Sequence, residues 1–112
     1  MRYHTNWDVF AECMKTIRLG DICKKIGSGA TPRGGSEVYL SHGVALIRSQ
    51  NVYNDGFKKD GLAYISDEHA EELENVTVKP DDVLLNITGD SVALVCQVPL
   101  EILPARVNQQ IA

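Results

Sequence analysis

Apolar and polar positions alternate along this chain in short, changing patterns, with no long uniform run. Trp7, Phe10, Ala11 and Met14 recur at helical spacing, with Thr5 or Asn6 available as N-cap, which predicts a short amphipathic helix. Leu19, Ile22, Cys23 and Ile26 repeat that spacing, and Gly27 is expected to stop the second helix. Residues 27–35, GSGATPRGG, are too rich in glycine and too irregular for helix or strand and predict a loop. Val44–Ile47 is an unbroken apolar run of strand length, expected to be buried, and Leu62–Ile65 reads as another strand. Asn54-Asp55-Gly56 marks a turn between them. Ser66 can cap a helix whose first turn carries Asp67 and Glu68, favourably placed against the helix dipole. Lys79-Pro80-Asp81-Asp82 fits a type I turn with proline at its second position. Two β-branched runs follow, Val83–Ile87 and Val92–Val98, joined through Gly89-Asp90-Ser91 as a hairpin or two successive coils. Pro99 and Pro104 then break the chain, and residues 106–111 begin a further element. Short strands with two or three small helices make the expected fold α+β.

With 112 residues the chain holds one domain and one modest core. Its 44% hydrophobic and 23% charged residues are those of a globular protein, not of a disordered one. No apolar run reaches the ~20 residues of a membrane span, and no secretion leader opens the chain, so a soluble, cytoplasmic location is expected. Cys13, Cys23 and Cys96 are odd in number and share no metal-ligand spacing with His4, His42 or His69. Buried free thiols are the expected state, with no metal or disulfide framework.

The formal net charge of −4 hides an asymmetry. From Met14 to Lys59 eight basic residues face three acidic ones, whereas from Asp60 onward two basic residues face ten acidic ones. Positive potential is therefore confined to the first half, and a nucleic-acid face, if the chain has one, belongs there; a plain solvated basic surface is the competing reading.

Catalytic constellations fail one by one. From Gly29 the loop runs Gly-x-x-x-x-Gly-Gly-Ser, with Gly35 where a phosphate-binding loop needs its lysine, and no apolar strand leads into it. Pro80-Asp81 could open a nuclease-type acidic site, but no lysine follows Lys79 to complete it, and Asp81, Asp82 and Asp90 suit turns. No Asn-Pro-Pro or Asp-Pro-Pro run marks an adenine methyltransferase, and no serine or cysteine occupies a nucleophile motif. The sequence reads as a non-catalytic binding module.

What remains is a set of polar side chains suited to reading bases, at the ends of apolar strands. Arg48, Ser49, Gln50 and Asn51 directly follow Val44–Ile47, while Asn86 and Thr88 end a later strand. Arginine pairs bidentately with guanine O6/N7, and asparagine or glutamine with adenine N6/N7. Thr31 and Arg33 sit in the glycine-rich loop, whose N–H groups can meet phosphate oxygens. Asn51 and Asn86 equally suit turn capping or pairing with buried backbone.

Six stretches carry a family resemblance: LGDI at 19–22, GSGATPRGG at 27–35, LIRSQNV at 46–52, LAYIS at 62–66, VKPDDVLLNITG at 78–89 and ARVNQQI at 105–111. In this order and spacing they resemble the target recognition domain of the specificity subunit of type I restriction–modification systems. Residues 14–112 would be the N-terminal portion of one such domain, with residues 1–13, a leader or N-terminal helix, outside the match. The resemblance implies a β-rich α+β domain of short twisted strands, double β-helix-like, that reads one half of a bipartite double-stranded DNA target. It implies no cofactor on this chain, S-adenosylmethionine being held by the partner methyltransferase subunits, and an indirect link to the restriction subunit. Two readings stay open: a DNA-reading domain, with Thr31, Arg33, Arg48, Ser49, Gln50, Asn51, Asn86 and Thr88 as its contacts, or a protein-interaction module acting on the methyltransferase or specificity subunit. Unpaired strand edges in an unfinished β-rich domain also invite self-association.

Overall fold

The structure is a computed structural model that describes residues 16–112; the expected helix over Trp7–Met14 and the leader lie outside the described residues. The fold is α+β, mostly strands with two short helices. A four-stranded mixed sheet organises it: β1 (Val44–Ile47) is flanked by β4 (Ala63–Ile65), antiparallel, and by β8 (Ala105–Val107), parallel, with β5 (Thr77–Val78) on the outer side of β8. Two small hairpins complete the strands: β2 (Val52–Tyr53) with β3 (Gly56–Phe57), and β6 (Val83–Leu85) with β7 (Val95–Gln97).

The apolar run Val44–Ile47 is wholly buried because both faces of the sheet are covered. Val44 and Leu46 face one side and pack with Ala63, Ile65, Ala70 and Leu73, beneath helix α2 (Asp67–Glu72). Ala45 and Ile47 face the other and pack with Val52, Leu84, Val98, Val107 and Ile111. A strand with apolar partners on both faces cannot show alternation, which is why it reads as a continuous run.

Helix α2 starts where its cap predicts: Ser66 Oγ accepts a hydrogen bond from the His69 N–H at 3.2 Å, with Asp67 and Glu68 in the first turn. Removing the cap by Ser66→Ala is expected to lower stability by about 1 kcal/mol, read from the denaturation midpoint. A turn falls at Asn54-Asp55 as expected, and it joins two short strands, β2 and β3, that the sequence pattern did not predict, with Gly56 already in β3.

Three expectations need correction. The helix expected to run from Leu19 to Ile26 is a single turn, α1 (Leu19–Ile22), and Cys23 is already extended. Leu19, Ile22 and Ile26 are all more than half exposed, so no burial offsets the cost of nucleating a helix. The Lys79–Asp82 turn closes with Asp82 N–H donating to Lys79 O at 3.1 Å, but Asp81 has φ +71°, which makes it a type II turn. Asp82 Oδ2 accepts from the Lys79 N–H at 2.8 Å, confirming the turn role of this carboxylate. The two β-branched runs do form a hairpin, yet only Val83–Leu85 and Val95–Gln97 are strand; Gly89–Ser91 is a 3-10 turn and Ala93 has a positive φ.

Against the expected burial of the thiols, Cys23 is exposed and Cys96 only half-buried; both are free thiols. Burial pushes the Cys96 thiol pKa up, against a smaller opposing effect of a hydrogen bond with the Tyr53 backbone. No group of histidine, cysteine and carboxylate side chains among the described residues is placed to hold a metal ion. No described helix is long and apolar enough to cross a membrane.

Candidate nucleic-acid interface

β1 and β8 are parallel neighbours, with Ile47 opposite Val107, so their polar continuations emerge side by side. Arg48, Ser49, Gln50 and Asn51 continue the first strand, and Asn108, Gln109 and Gln110 continue the second, joined at the start by Asn108 N–H donating to Ile47 O at 3.0 Å. The glycine-rich loop is stitched to the same edge: Gly29 N–H donates to Ile111 O and Ala30 N–H to Val107 O, each at 3.0 Å. Ile87 N–H donates to Gln110 O at 3.0 Å, which brings the end of β6 alongside. Segments far apart in sequence thus converge on residues 107–111.

Side chains complete the convergence. Thr31 Oγ1 donates to Gln109 Oε1 at 2.9 Å across 78 positions of sequence. Ser49 Oγ donates to Gln110 Oε1 at 3.1 Å across 61 positions. The two glutamines were not singled out as site residues from the sequence, although the ARVNQQI stretch contains them; three consecutive amide side chains after a buried strand were the available signal. Gln109 is exposed and Gln110 half-buried.

Arg48 lies near this cluster in a constrained pose. Its guanidinium stacks over the Tyr39 ring, 5.2 Å from the centroid, and Nη2 donates to the Gly61 carbonyl. Nε is buried without a partner among the described residues. Gly61 has φ +69°, and a Cβ there would come within 2.5 Å of Gln50 Nε2 and 3.8 Å of Arg48 Nη2, so the glycine lets this turn pass directly beneath both side chains. Gln50 itself is exposed. Arg33 is exposed in the turn that precedes the 3-10 segment Gly35–Val38, and it makes no hydrogen bond or ion pair with another described residue. Thr88 is exposed at the start of the 3-10 turn Gly89–Ser91, without a capping bond.

The structure corrects two of the expected base readers. Asn51 is fully buried: its Oδ1 accepts from Arg48 N–H at 3.0 Å, and its Nδ2 donates to Lys58 O at 2.8 Å and Asp60 O at 3.3 Å. Asn86 is buried to 1% exposure, and its Nδ2 donates to Ser49 O and Val52 O, each at 3.1 Å. Both side chains face inward and pair with backbone, so neither can reach a base edge. Asn86 instead fixes the backbone of Ser49, whose hydroxyl belongs to the exposed cluster. Asn86 Oδ1 is buried with no partner among the described residues.

Thr31 with Gln109 and Ser49 with Gln110 therefore form two hydrogen-bonded pairs along one polar ridge, joined through the adjacent residues 109 and 110, with Arg48 and Gln50 beside it over Gly61. Of the nearby cations, Lys58 sits 4.6 Å over the Tyr53 ring, and Lys59 pairs with Glu101 at 2.7 Å in an exposed bridge that contributes little to stability. The chain matches no protein-family model, and no curated protein matches it at a significant level.

Proposed function

We propose that this chain is a sequence-reading double-stranded DNA-binding module of the target recognition type found in specificity subunits of type I restriction–modification systems. It would read one half of a bipartite target and direct adenine methylation and restriction carried out by partner subunits. The observation that carries this reading is the polar ridge: two hydroxyl–amide pairs, Thr31 of the glycine-rich loop with Gln109 and Ser49 with Gln110, gathered where two parallel strands end side by side. Hydroxyls and amides in a preset arrangement are what base-edge readout requires, with Arg48 beside the ridge and the exposed Arg33 of the glycine-rich loop proposed for phosphate or guanine contacts. One mixed sheet of short strands with two small hairpins is a β-rich α+β arrangement, the coarse architecture that the resemblance implies.

A second reading has its own observation. Leu19, Ile22, Ile26 and Val83 are each more than half exposed and line one open cleft, an apolar surface. Contiguous exposed apolar surface marks protein contacts, which suits an interaction module acting on a methyltransferase or intact specificity subunit.

Selection from a pool of randomised duplexes, with and without a methyltransferase subunit at near-physiological salt, tests the first reading. Enrichment of a short gapless motif is the expected result. A folded chain that enriches nothing in either condition, yet co-purifies with the methyltransferase subunit after nuclease treatment, would replace DNA reading by the interaction module.

A further inference from the structure

The amide of Gln110 is held with one side facing the protein, and the orientation is fixed by a chain of donors. Gln110 N–H donates to Asn108 Oδ1 at 3.0 Å, which places the Asn108 amide nitrogen on the other side of that group. That nitrogen, Nδ2, donates to Gln110 Oε1 at 3.4 Å, and Ser49 Oγ donates to the same oxygen at 3.1 Å. Turning the Gln110 amide over would set its N–H groups against the Asn108 N–H groups, donor against donor. Both lone pairs of Oε1 are thus occupied from within the protein. Gln110 is half-buried, and its Nε2 has no partner among the described residues, so what the side chain can offer a ligand is N–H donors alone.

We infer that Gln110 is a donor-only specificity residue that selects an acceptor edge in the major groove, guanine O6/N7 first, and does not read adenine. This rests on the DNA-reading function proposed above. A free glutamine pairs with adenine by accepting from N6 while donating to N7. Here the accepting half of that pair is turned inward to Ser49 and Asn108. Guanine presents two adjacent acceptors in the major groove and asks for no acceptor in return. Ser49 is then a positioning residue: its hydroxyl keeps the glutamine carbonyl out of the readout.

The test uses the full chain, with the methyltransferase subunit if binding requires it, and duplexes taken from the selection described above. Replacing guanines one at a time by 7-deazaguanine should reveal one position at which wild-type binding falls by roughly fivefold to a hundredfold. Gln110→Glu keeps an acceptor oxygen for Ser49 and Asn108 and should fold normally, which thermal melting would check. It should abolish the 7-deazaguanine sensitivity at that position alone and shift the preference there to cytosine, whose N4 amino group donates. Ser49→Ala frees one lone pair of Oε1 and should relax the same position towards adenine. Adenine selected there by the wild type, or an equal weakening of all sequences by Gln110→Glu, would overturn the inference while leaving DNA reading intact. A folded wild-type chain that enriches no sequence would overturn both.

Discussion

Replacing Asn51 by alanine is expected to lower the stability of the fold by about 3 kcal/mol, although the residue stands among polar side chains suited to DNA. The side chain is fully buried and makes three hydrogen bonds, to Arg48 N–H, Lys58 O and Asp60 O. Its own backbone adds two more, Asn51 N–H to Arg48 O at 2.9 Å and Lys58 N–H to Asn51 O at 2.8 Å. Together these pin the 58–60 segment to the end of β1 and so position the Gly61 carbonyl under Arg48. Truncation leaves one N–H and two carbonyls without their partner, and each buried group left unmade costs about 1–3 kcal/mol, less where water can reach it. Denaturant unfolding would give the loss directly, and the melting temperature should fall by roughly 10–15 °C. Asn51→Asp is the sharper control: it keeps the acceptor for Arg48 N–H but turns an oxygen towards two carbonyl oxygens. It should be at least as destabilising at neutral pH despite its nearly identical shape. Full stability in both variants, with lost DNA binding, would return Asn51 to the base readers.

The reason Asn51 and Asn86 are easily mistaken for contact residues is physical. An amide that reads adenine and an amide that closes buried backbone use the same donor and acceptor, and only the tertiary fold decides which way it points. Val44–Ile47 was readable because covering both faces of a strand writes its burial into four consecutive residues. Ser66 as a cap and the place of the Lys79-Pro80 turn were readable because caps and proline turns are local chemistry; the turn's type was not, since it depends on the left-handed φ of Asp81. β5 and β8 are two and three residues long, and each is a strand only because β1 lies beside Ala105–Val107 and β8 beside Thr77–Val78. No window of sequence contains that information. Thr31 and Ser49 were legible as polar loop residues, but their partners stand 78 and 61 positions away. The role of Gln109 and Gln110 therefore emerges only when the two parallel strand ends are set side by side. The helix expected over Leu19–Ile26 failed for the converse reason: its periodicity was present, but Leu19, Ile22 and Ile26 stay exposed among the described residues.

Gly29→Ala should be the most disruptive single-methyl change in the glycine-rich loop, costing about 3 kcal/mol or more, the upper end of overpacking penalties. A Cβ at Gly29 would stand 2.0 Å from Val107 O and 2.3 Å from Asn108 O, with Val107 C at 2.4 Å. All three atoms are backbone at the end of β8, which is held from both sides by β1 and β5, so no rotamer change can clear the space. Relief must come by lifting the loop, which breaks Gly29 N–H to Ile111 O and Ala30 N–H to Val107 O. Thr31 would leave Gln109 with it. Gly27 supplies the contrast two residues away: a Cβ there meets only Lys25 Cε at 3.8 Å, an ordinary contact. Gly27→Ala should be neutral or slightly stabilising, since it restricts the unfolded chain without straining the folded one. Melting curves of the two variants, with hydrogen exchange at the Ala30 amide, separate the outcomes. Rapid exchange at Ala30 and a lowered melting point in Gly29→Ala alone would establish that close approach of this glycine to β8 holds the loop against the ridge. Equal behaviour of the two variants would mean that the loop is not docked there, and Thr31 and Arg33 would drop out of the interface.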